Sequence, residues 1–379
     1  MRTLVLLALL APGLHAAEHW SVQYYYDEDR TTMQLVDLAF PSWTRGVAVG
    51  WISDANPSKK PRPTALTTSD GGAHWTLDPL KDEPRSLFFL NDSLGWLVTE
   101  NGLWLTEESG HTWRKIFDQP KPDKKLGPAS PGGLILRVWF LDEKHGFAVG
   151  YQKTVLETHD GGHTWMPVAE AAKPTGNPVF TAYTRITFDG KLGLIVGAAV
   201  PPRRDLGPFP SWMNPEGASK ARQQPNLTLV LQTDDSGTTW KASTAPLLGL
   251  VSALRMSGDV GMSVFGFSES FDWPSEVYKI DLESGMSARV FREKDRRVTD
   301  AALFSGRSFL AAVEPPGRLN SLPIPGKVRM LASAGANLDQ WQEIDVDYRA
   351  IAGSVVLAGP DPDHMWAATD TGMILRLVK

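Results

Sequence analysis

Carboxylates sit at one fixed place in a recurring octet. Asp70 occupies it in Thr68-Ser69-Asp70-Gly71-Gly72-Ala73-His74-Trp75, Glu108 in the copy that ends at Trp113, Asp160 in the copy that ends at Trp165, and Asp235 in the copy that ends at Trp240. With His74, His111, His159 and His163 beside them, these residue types could hold a metal ion or move a proton. The spacing points elsewhere. Every copy keeps Thr first, an acid third, Gly fifth and Trp eighth. A carboxylate so placed accepts the N–H groups of its own turn, Gly takes the positive φ, and Trp packs at the start of the strand that follows. His74, His111, His159 and His163 belong to the same turns and share that reading. Asp70, Gly72, Trp75, Glu108, Gly110, Trp113, Asp160, Gly162, Trp165, Asp235, Gly237 and Trp240 are therefore expected to build hairpin turns, with no metal, no cofactor and no catalytic residue assigned.

A different chemistry is spread over the long insertions between strands. Lys59, Lys60 and Arg62 lie in one, Lys124 and Lys125 in a second, and Arg203 and Arg204 with Phe209, Trp212 and Met213 in a third, while Trp273 lies in a fourth. Basic and aromatic residues on one face suit a protein or glycan contact. The competing reading is that Lys and Pro keep long loops soluble. The insertion around Trp273 also carries Glu269, Asp272 and Glu276, so any basic patch is local.

The elements that would carry these residues are strands. Period-2 apolar patterns bounded by Gly, Pro, Asn and Asp run along the chain, with no amphipathic helix of useful length. Around the third octet the pattern reads as strand Arg137-Val138-Trp139-Phe140, strand Gly146-Phe147-Ala148-Val149-Gly150, strand Thr154-Val155-Leu156, octet, strand. Units follow at 36–80, 85–116, 137–168, 183–243, 250–291 and 298–346, the octet decaying in the last two. Residues 354–379 supply three strands more, and Glu18-His19-Trp20-Ser21-Val22-Gln23 looks like the end of an octet with its following strand. The expectation is an all-β, seven-bladed β-propeller of four-stranded antiparallel blades, closed by the N-terminal strand. The insertions at 52–64, 199–226, 267–276, 314–326 and 117–134 would then project from one face.

The octet resembles the Asp-box, the bacterial neuraminidase repeat. The whole unit is similar to that of the photosystem II stability and assembly factor family, whose members also occur in bacteria without photosynthesis. That resemblance implies a binding scaffold without enzymatic activity and a protein client, membrane proteins included, with a glycan as the other ligand class. A sialidase is the alternative from a different class. It would need an Arg cluster, a Tyr nucleophile with its Glu, and an acid-base Asp. The Arg-Ile-Pro motif that this alternative requires is absent, and Tyr24-Tyr25-Tyr26 reads as a strand and its exit. A two-carboxylate glycosidase stays open at this point, because paired acids need not be neighbours in sequence.

Composition sets the remaining bounds. The net charge of −5 gives no reason to propose nucleic acid. The absence of cysteine among 379 residues removes disulfides and thiolate metal sites. Arg2, an apolar run over 4–10, Pro12-Gly13 and small residues at Ala16 and Ala17 read as a signal peptide over 1–17, too short to span a bilayer. Residues 18–379 are then expected as one exported, monomeric, periplasmic or secreted domain without a transmembrane segment.

Overall fold

A computed structural model describes residues 17–120, 133–201, 225–267, 273–319, 322–333, 335 and 337–379. Strand β1 is His19–Tyr25. A first four-stranded blade follows, β2–β5: Thr31–Ala39, Gly46–Asp54, Arg62–Thr68 and Thr76–Pro79. The second, β6–β9, is Pro84–Phe89, Gly95–Thr99, Gly102–Thr106 and Arg114–Asp118. The third, β10–β13, is Ile135–Phe140, Gly146–Gly150, Val155–Thr158 and Met166–Pro167. The fourth, β14–β17, is Thr181–Asp189, Leu192–Ala199, Asn226–Thr233 and Lys241–Leu247. The fifth, β18–β21, is Leu250–Ser257, Val260–Gly266, Ser275–Asp281 and Ser287–Phe291.

The rest of the chain forms β22–β31: Arg297–Phe304, Arg307–Val313, Gly317–Leu319, Leu322–Ile324, Gly326–Ser333, Trp341–Val346, Ile351–Ala352, Val355–Asp361, His364–Thr369 and Met373–Val378. Most of these strands join one sheet in the order β22-β23-β26-β27-β1-β31-β30-β29. Strand β1 lies antiparallel on β31, with Trp20 opposite Leu377, and meets β27 in parallel through His19–Asp345 and Trp20–Val346. Short 3-10 turns at Ala169–Ala172 and Pro178–Phe180 are the helical pieces among the described residues.

The first strands of successive units lie side by side, β2 against β6, β6 against β10, and so on through β22 against β29. Six of them, β2, β6, β10, β14, β18 and β22, slip register at one matching place, for example between Leu35 and Asp37 in β2 and between Val298 and Asp300 in β22. A bulge adds one residue and extra twist, which re-aims the residue after it. Here that device recurs at the edge where neighbouring units meet.

Hydrophobic packing is shared between sheets. One cluster joins Val47 and Val49 of the first blade to Leu97 and Trp104 of the second, and another joins Phe147 and Val149 of the third to Ile195 and Leu229 of the fourth. Each blade thus buries its faces against its neighbours.

Three boundaries differ from the sequence reading. The 267–276 insertion ends sooner, because Ser275 and Glu276 already pair with Gly266 and Phe265 in β20, which puts Glu276 in a strand. The first-blade insertion is shorter than 52–64, because Ile52 is buried in the core and keeps β3 in register as far as Asp54, where Thr31 faces it. Arg62 accordingly lies in β4, paired with Ile52, and not in a loop. The 314–326 insertion holds a small hairpin of its own, β24 with β25.

Candidate functional site

The octets form one repeated turn. Thr158 donates its hydroxyl to Asp160 Oδ1 (2.8 Å) and accepts the N–H of Gly162 (3.0 Å), while Asp160 accepts both the N–H (2.9 Å) and the hydroxyl (2.6 Å) of Thr164. Thr233, Asp235, Gly237 and Thr239 repeat this set, with distances of 2.7, 2.9, 2.8 and 2.6 Å. Thr68 and Asp70 do likewise, with His74 giving its N–H at 2.9 Å and its ring Nδ1 lying 2.7 Å from the second carboxylate oxygen. In the second copy Glu108 is longer and reaches only the Thr112 hydroxyl, at 2.6 Å. These bonds hold Asp70 at about 2, through the His74 N–H first, and Asp235 at about 2, through the Thr239 hydroxyl first. At Asp160 burial pulls upward but is outweighed by the hydroxyl and N–H of Thr164, again to about 2. A carboxylate that fully accepts from its own turn is a structural acid.

The fifth-place Gly and the eighth-place Trp tie each turn to the neighbouring sheet. Gly237 has φ 85°, and a Cβ there would stand 2.2 Å from Cζ of Phe147 in the third blade. Trp240 packs edge-on to that same Phe147 (5.5 Å) and to Phe188 of its own blade (5.9 Å). The other octet indoles meet the Phe that closes their own first strand: Trp75 meets Phe40 at 5.9 Å, Trp113 meets Phe89 at 6.2 Å and Trp165 meets Phe140 at 6.2 Å. Gly146 is part of the same device, since a Cβ there would lie 2.5 Å from the Phe140 ring. Trp240 is buried, but Trp75, Trp113 and Trp165 are half-buried, because their outer ring edges end at the blade surface.

Among the described residues, one group has donor atoms that could converge on a metal ion: His145, Glu157 and His159, all within 4.8 Å of one another. His145 Nε2 lies 2.8 Å and His159 Nε2 3.4 Å from Glu157 Oε1, and the two rings stack at 4.7 Å. The His145 ring thus already has a hydrogen-bond partner in this carboxylate, and His159 stands within ion-pair distance of the same oxygen. His159 is held by this trio rather than by its own turn, as its sequence position had suggested.

The first strands bring a set of charges together along the central channel that such strands line, with Asp37 and Asp300 buried and Arg137, Arg185 and Arg255 half-buried. Asp37 accepts the N–H of Leu38 (3.1 Å) on one oxygen, and on the other the N–H of Leu87 (2.9 Å), with Arg137 at 3.4 Å. Asp300 accepts from Arg255 (2.8 Å) and from the N–H of Leu357 (2.9 Å). Burial pushes the Asp37 carboxyl above its ordinary range, against the pull of Arg137 and the two N–H groups. Burial first, and then Arg137, lowers the Arg185 guanidinium, which donates to the carbonyls of Ser252 (2.7 Å) and Thr184 (2.8 Å). Each oxygen of both acids is engaged, so this is a set of pins between neighbouring blades rather than an acid-base pair facing an open cleft.

Of the residues expected on the insertions, Lys59 pairs with Asp54 at 2.7 Å, and Lys60 and Arg62 are exposed on the same first-blade hairpin. Trp273 lies at the mouth between the fourth and fifth blades, with the Arg292 guanidinium 4.1 Å and the Lys294 ammonium 5.3 Å from its ring centre. Arg203, Arg204, Phe209, Trp212, Met213, Lys124 and Lys125 lie outside the described residues.

A sequence profile of the family described as photosynthesis system II assembly factor YCF48 matches residues 131–202. The chloroplast photosystem II stability/assembly factor HCF136 of Oryza sativa is 24% identical over 53% of this chain and 44% of its own length. The photosystem II assembly protein Ycf48 of Thermosynechococcus vestitus is 26% identical over 64% of this chain and 68% of its own. A solved structure of YCF48 bound to D1 peptide superposes with a TM-score of 0.55 at 16% identity, over 95% of this chain and 100% of that one. The chain is an Asp-box β-propeller that resembles the photosystem II assembly factors. It spans less than half of the rice relative and about two thirds of the thermophilic one.

Within this propeller, sequence reasoning found the octets and missed the channel. A signal was present: Asp37, Arg137, Arg185 and Asp300 each interrupt an apolar first strand at the residue after the bulge. An isolated charge in an apolar strand reads as an edge residue until its distant partners are known.

Proposed function

We propose that the chain is an exported, non-enzymatic propeller that holds a polypeptide client while a membrane or envelope complex is assembled. The observation that carries this reading is the similarity to photosystem II assembly proteins over 64% of the chain. D1 peptide is the ligand named for one structural relative, and a segment of a membrane protein is the client class taken over from it. The glycosidase alternative loses support because the box acids and the channel acids Asp37 and Asp300 are tied to their own backbone or to Arg.

The same reading takes residues 18–379 as one closed ring of seven blades, the nine-stranded sheet being blades six and seven side by side. Support comes from β1 lying on β31, from β2 lying beside β29, and from the indole N–H of Trp366 donating to the Gly71 carbonyl at 3.1 Å. Export rests on Arg2, the apolar run over 4–10 and the small residues Ala16 and Ala17. No helix among the described residues is long and apolar enough to cross a membrane.

The client surface is assigned to the face that carries the long insertions, centred on residues 199–226, with Lys59, Lys60 and Arg62 of the first-blade hairpin and the 117–134 connection beside it. Ala199 pairs with Leu227, so residues 200–226 can be replaced by an Asn-Gly turn with the hairpin still closed. The test is a pull-down from envelope extract with the mature chain and with this shortened variant. The variant should keep its circular dichroism spectrum and recover less client. Equal recovery of the same partners would remove the surface, and failure of the full chain to recover any client, or turnover of aryl glycosides, would remove the scaffold reading.

A further inference from the structure

Every other junction between neighbouring sheets holds an indole of the chain's own: Trp75, Trp113, Trp165, Trp240, Trp341 and Trp20. Among the described residues, the junction between the fourth and fifth blades has none in its cluster, Trp273 standing at the mouth. Its shared cluster is Leu194, Val196 and Leu254 with half-buried Val230 and Val251, and a cleft of about 800 Å³ opens there. The cause can be read from strand register. In the fourth blade Gln232 pairs with Lys241, which places Trp240 opposite Thr233. In the fifth, Gly261 pairs with Ile280 as Gly193 pairs with Thr233, and the residue opposite Ile280 is Ser287, which therefore takes the place of Trp240. Ser287 lines the cleft and is too small to fill it.

The cleft walls are two sheet faces held apart. Val196 and Val230 line one side, and Phe265, Tyr278 and Ile280 line the other, where the Phe265 and Tyr278 rings meet edge to face at 5.6 Å. The lining runs from Glu276 to Asp281 along β20, roughly 20 Å at the rise of a strand, which is longer than one ring needs. Thr228, Gln232 and Ser287 place hydroxyl and amide groups along this length, where a main chain could bond. At the mouth Glu276 accepts from the Tyr278 hydroxyl at 2.7 Å and from Arg292 at 3.1 Å, and Arg292 lies over Trp273. An apolar slot with a few convergent polar groups is the usual form of a binding site.

We propose that this cleft receives an aromatic side chain carried on an extended segment of a polypeptide partner, seated where the other junctions hold the chain's own tryptophan. Only the choice of a polypeptide as occupant rests on the scaffold reading; the vacant junction does not.

The probes are a synthetic peptide of sequence Gly-Val-Gly-Trp-Gly-Val-Gly with blocked ends, its Ala-for-Trp counterpart, and free indole, titrated calorimetrically into the mature protein. The Trp peptide should bind one site with Kd below about 1 mM, and the Ala peptide about tenfold or more weaker. Ser287→Trp returns an indole to the vacant place and should weaken peptide binding about tenfold or more while raising Tm; Val230→Phe, which narrows the slot, serves if Ser287→Trp does not fold. No binding by the wild type, or equal binding by wild type and filled variant, overturns the proposal. Indole binding as tightly as the peptide also overturns it, by giving the cleft to a small aromatic molecule. If the peptide fails while client capture from extract persists, the cleft is lost and the scaffold stands.

Discussion

The junction between the third and fourth blades and the junction between the fourth and fifth are built from the same kinds of strand, yet one is filled and the other is open. In the first, Trp240 lies between Phe147 and Phe188, and Gly237 lets the turn touch the Phe147 ring. In the second, Asp281 accepts the N–H groups of Glu283 and Ser284, a different bond set, and Ser287 stands in place of the indole, with Met286 facing water. A hydrogen-bonded turn is therefore still built without the indole, because its bonds are local, whereas the packing of the junction is lost. Turn and wedge are separable parts of the repeat. Where the wedge is lost, the fold gains an opening that faces both solvent and the mouth at Trp273.

The largest effect should come from removing a wedge and a strand together. Trp20 is fully buried between the β22–β27 and β29–β31 parts of the large sheet, where it meets Phe309 edge-on at 6.4 Å. Deleting residues 20–26 from the mature protein should abolish the single cooperative thermal transition or lower it steeply, since one edge of β31 is exposed as well. A truncated protein that melts like the full one would show that β1 closes nothing. Next in size is Trp240→Ala, expected to destabilise by about 3–5 kcal/mol in urea unfolding. Trp165→Ala should cost less, about 2 kcal/mol, because that ring is half-buried. If the order is reversed, burial of the wedge is not what holds these junctions.

The difference between turn and wedge also decides what could be read in the sequence. The octets were legible because Thr158, Asp160, Gly162 and Thr164 bond to one another within a few residues, so residue type and spacing carry the geometry. The channel was not. Asp37 finds the Leu87 N–H 50 residues away, and Asp300 finds that of Leu357 57 residues away, so neither partner is implied by its neighbours. The trio of His145, Glu157 and His159 needs two paired strands to bring it together. The decay of the fifth octet was visible as a missing Trp, but the cleft it leaves depends on both walls as well as on the small Ser287 at the wedge position.

The turn itself should show a smaller and purely local effect. Thr233 is buried, and Thr233→Val would leave the Gly237 N–H, now held at 2.9 Å, without an acceptor, a loss of about 1–3 kcal/mol. Acid should act on the same bonds. Asp70, Asp160 and Asp235 are held at about 2, below the ordinary 3.8, so their contribution is complete above about pH 4 and is lost as pH falls from there toward 2. Asp160→Asn should flatten that part of the stability profile; an unchanged slope would mean that other carboxylates set it.

The smallest effect is expected at Met286, and it is the one on which the comparison of junctions turns. Met286 precedes Ser287, the residue at the place of Trp240, and it is 71% exposed. An exposed side chain without packing partners contributes little, so Met286→Ala should change stability by no more than about 0.5 kcal/mol in urea unfolding. The effect of truncating Trp240 in the preceding blade is expected to be several times larger. A loss of more than about 1 kcal/mol at Met286 would mean that its thioether folds into the cleft in solution, for Met is flexible enough to fill an irregular gap. The fourth and fifth blades would then be sealed by the chain itself, and the opening between them would have no room for a partner's ring.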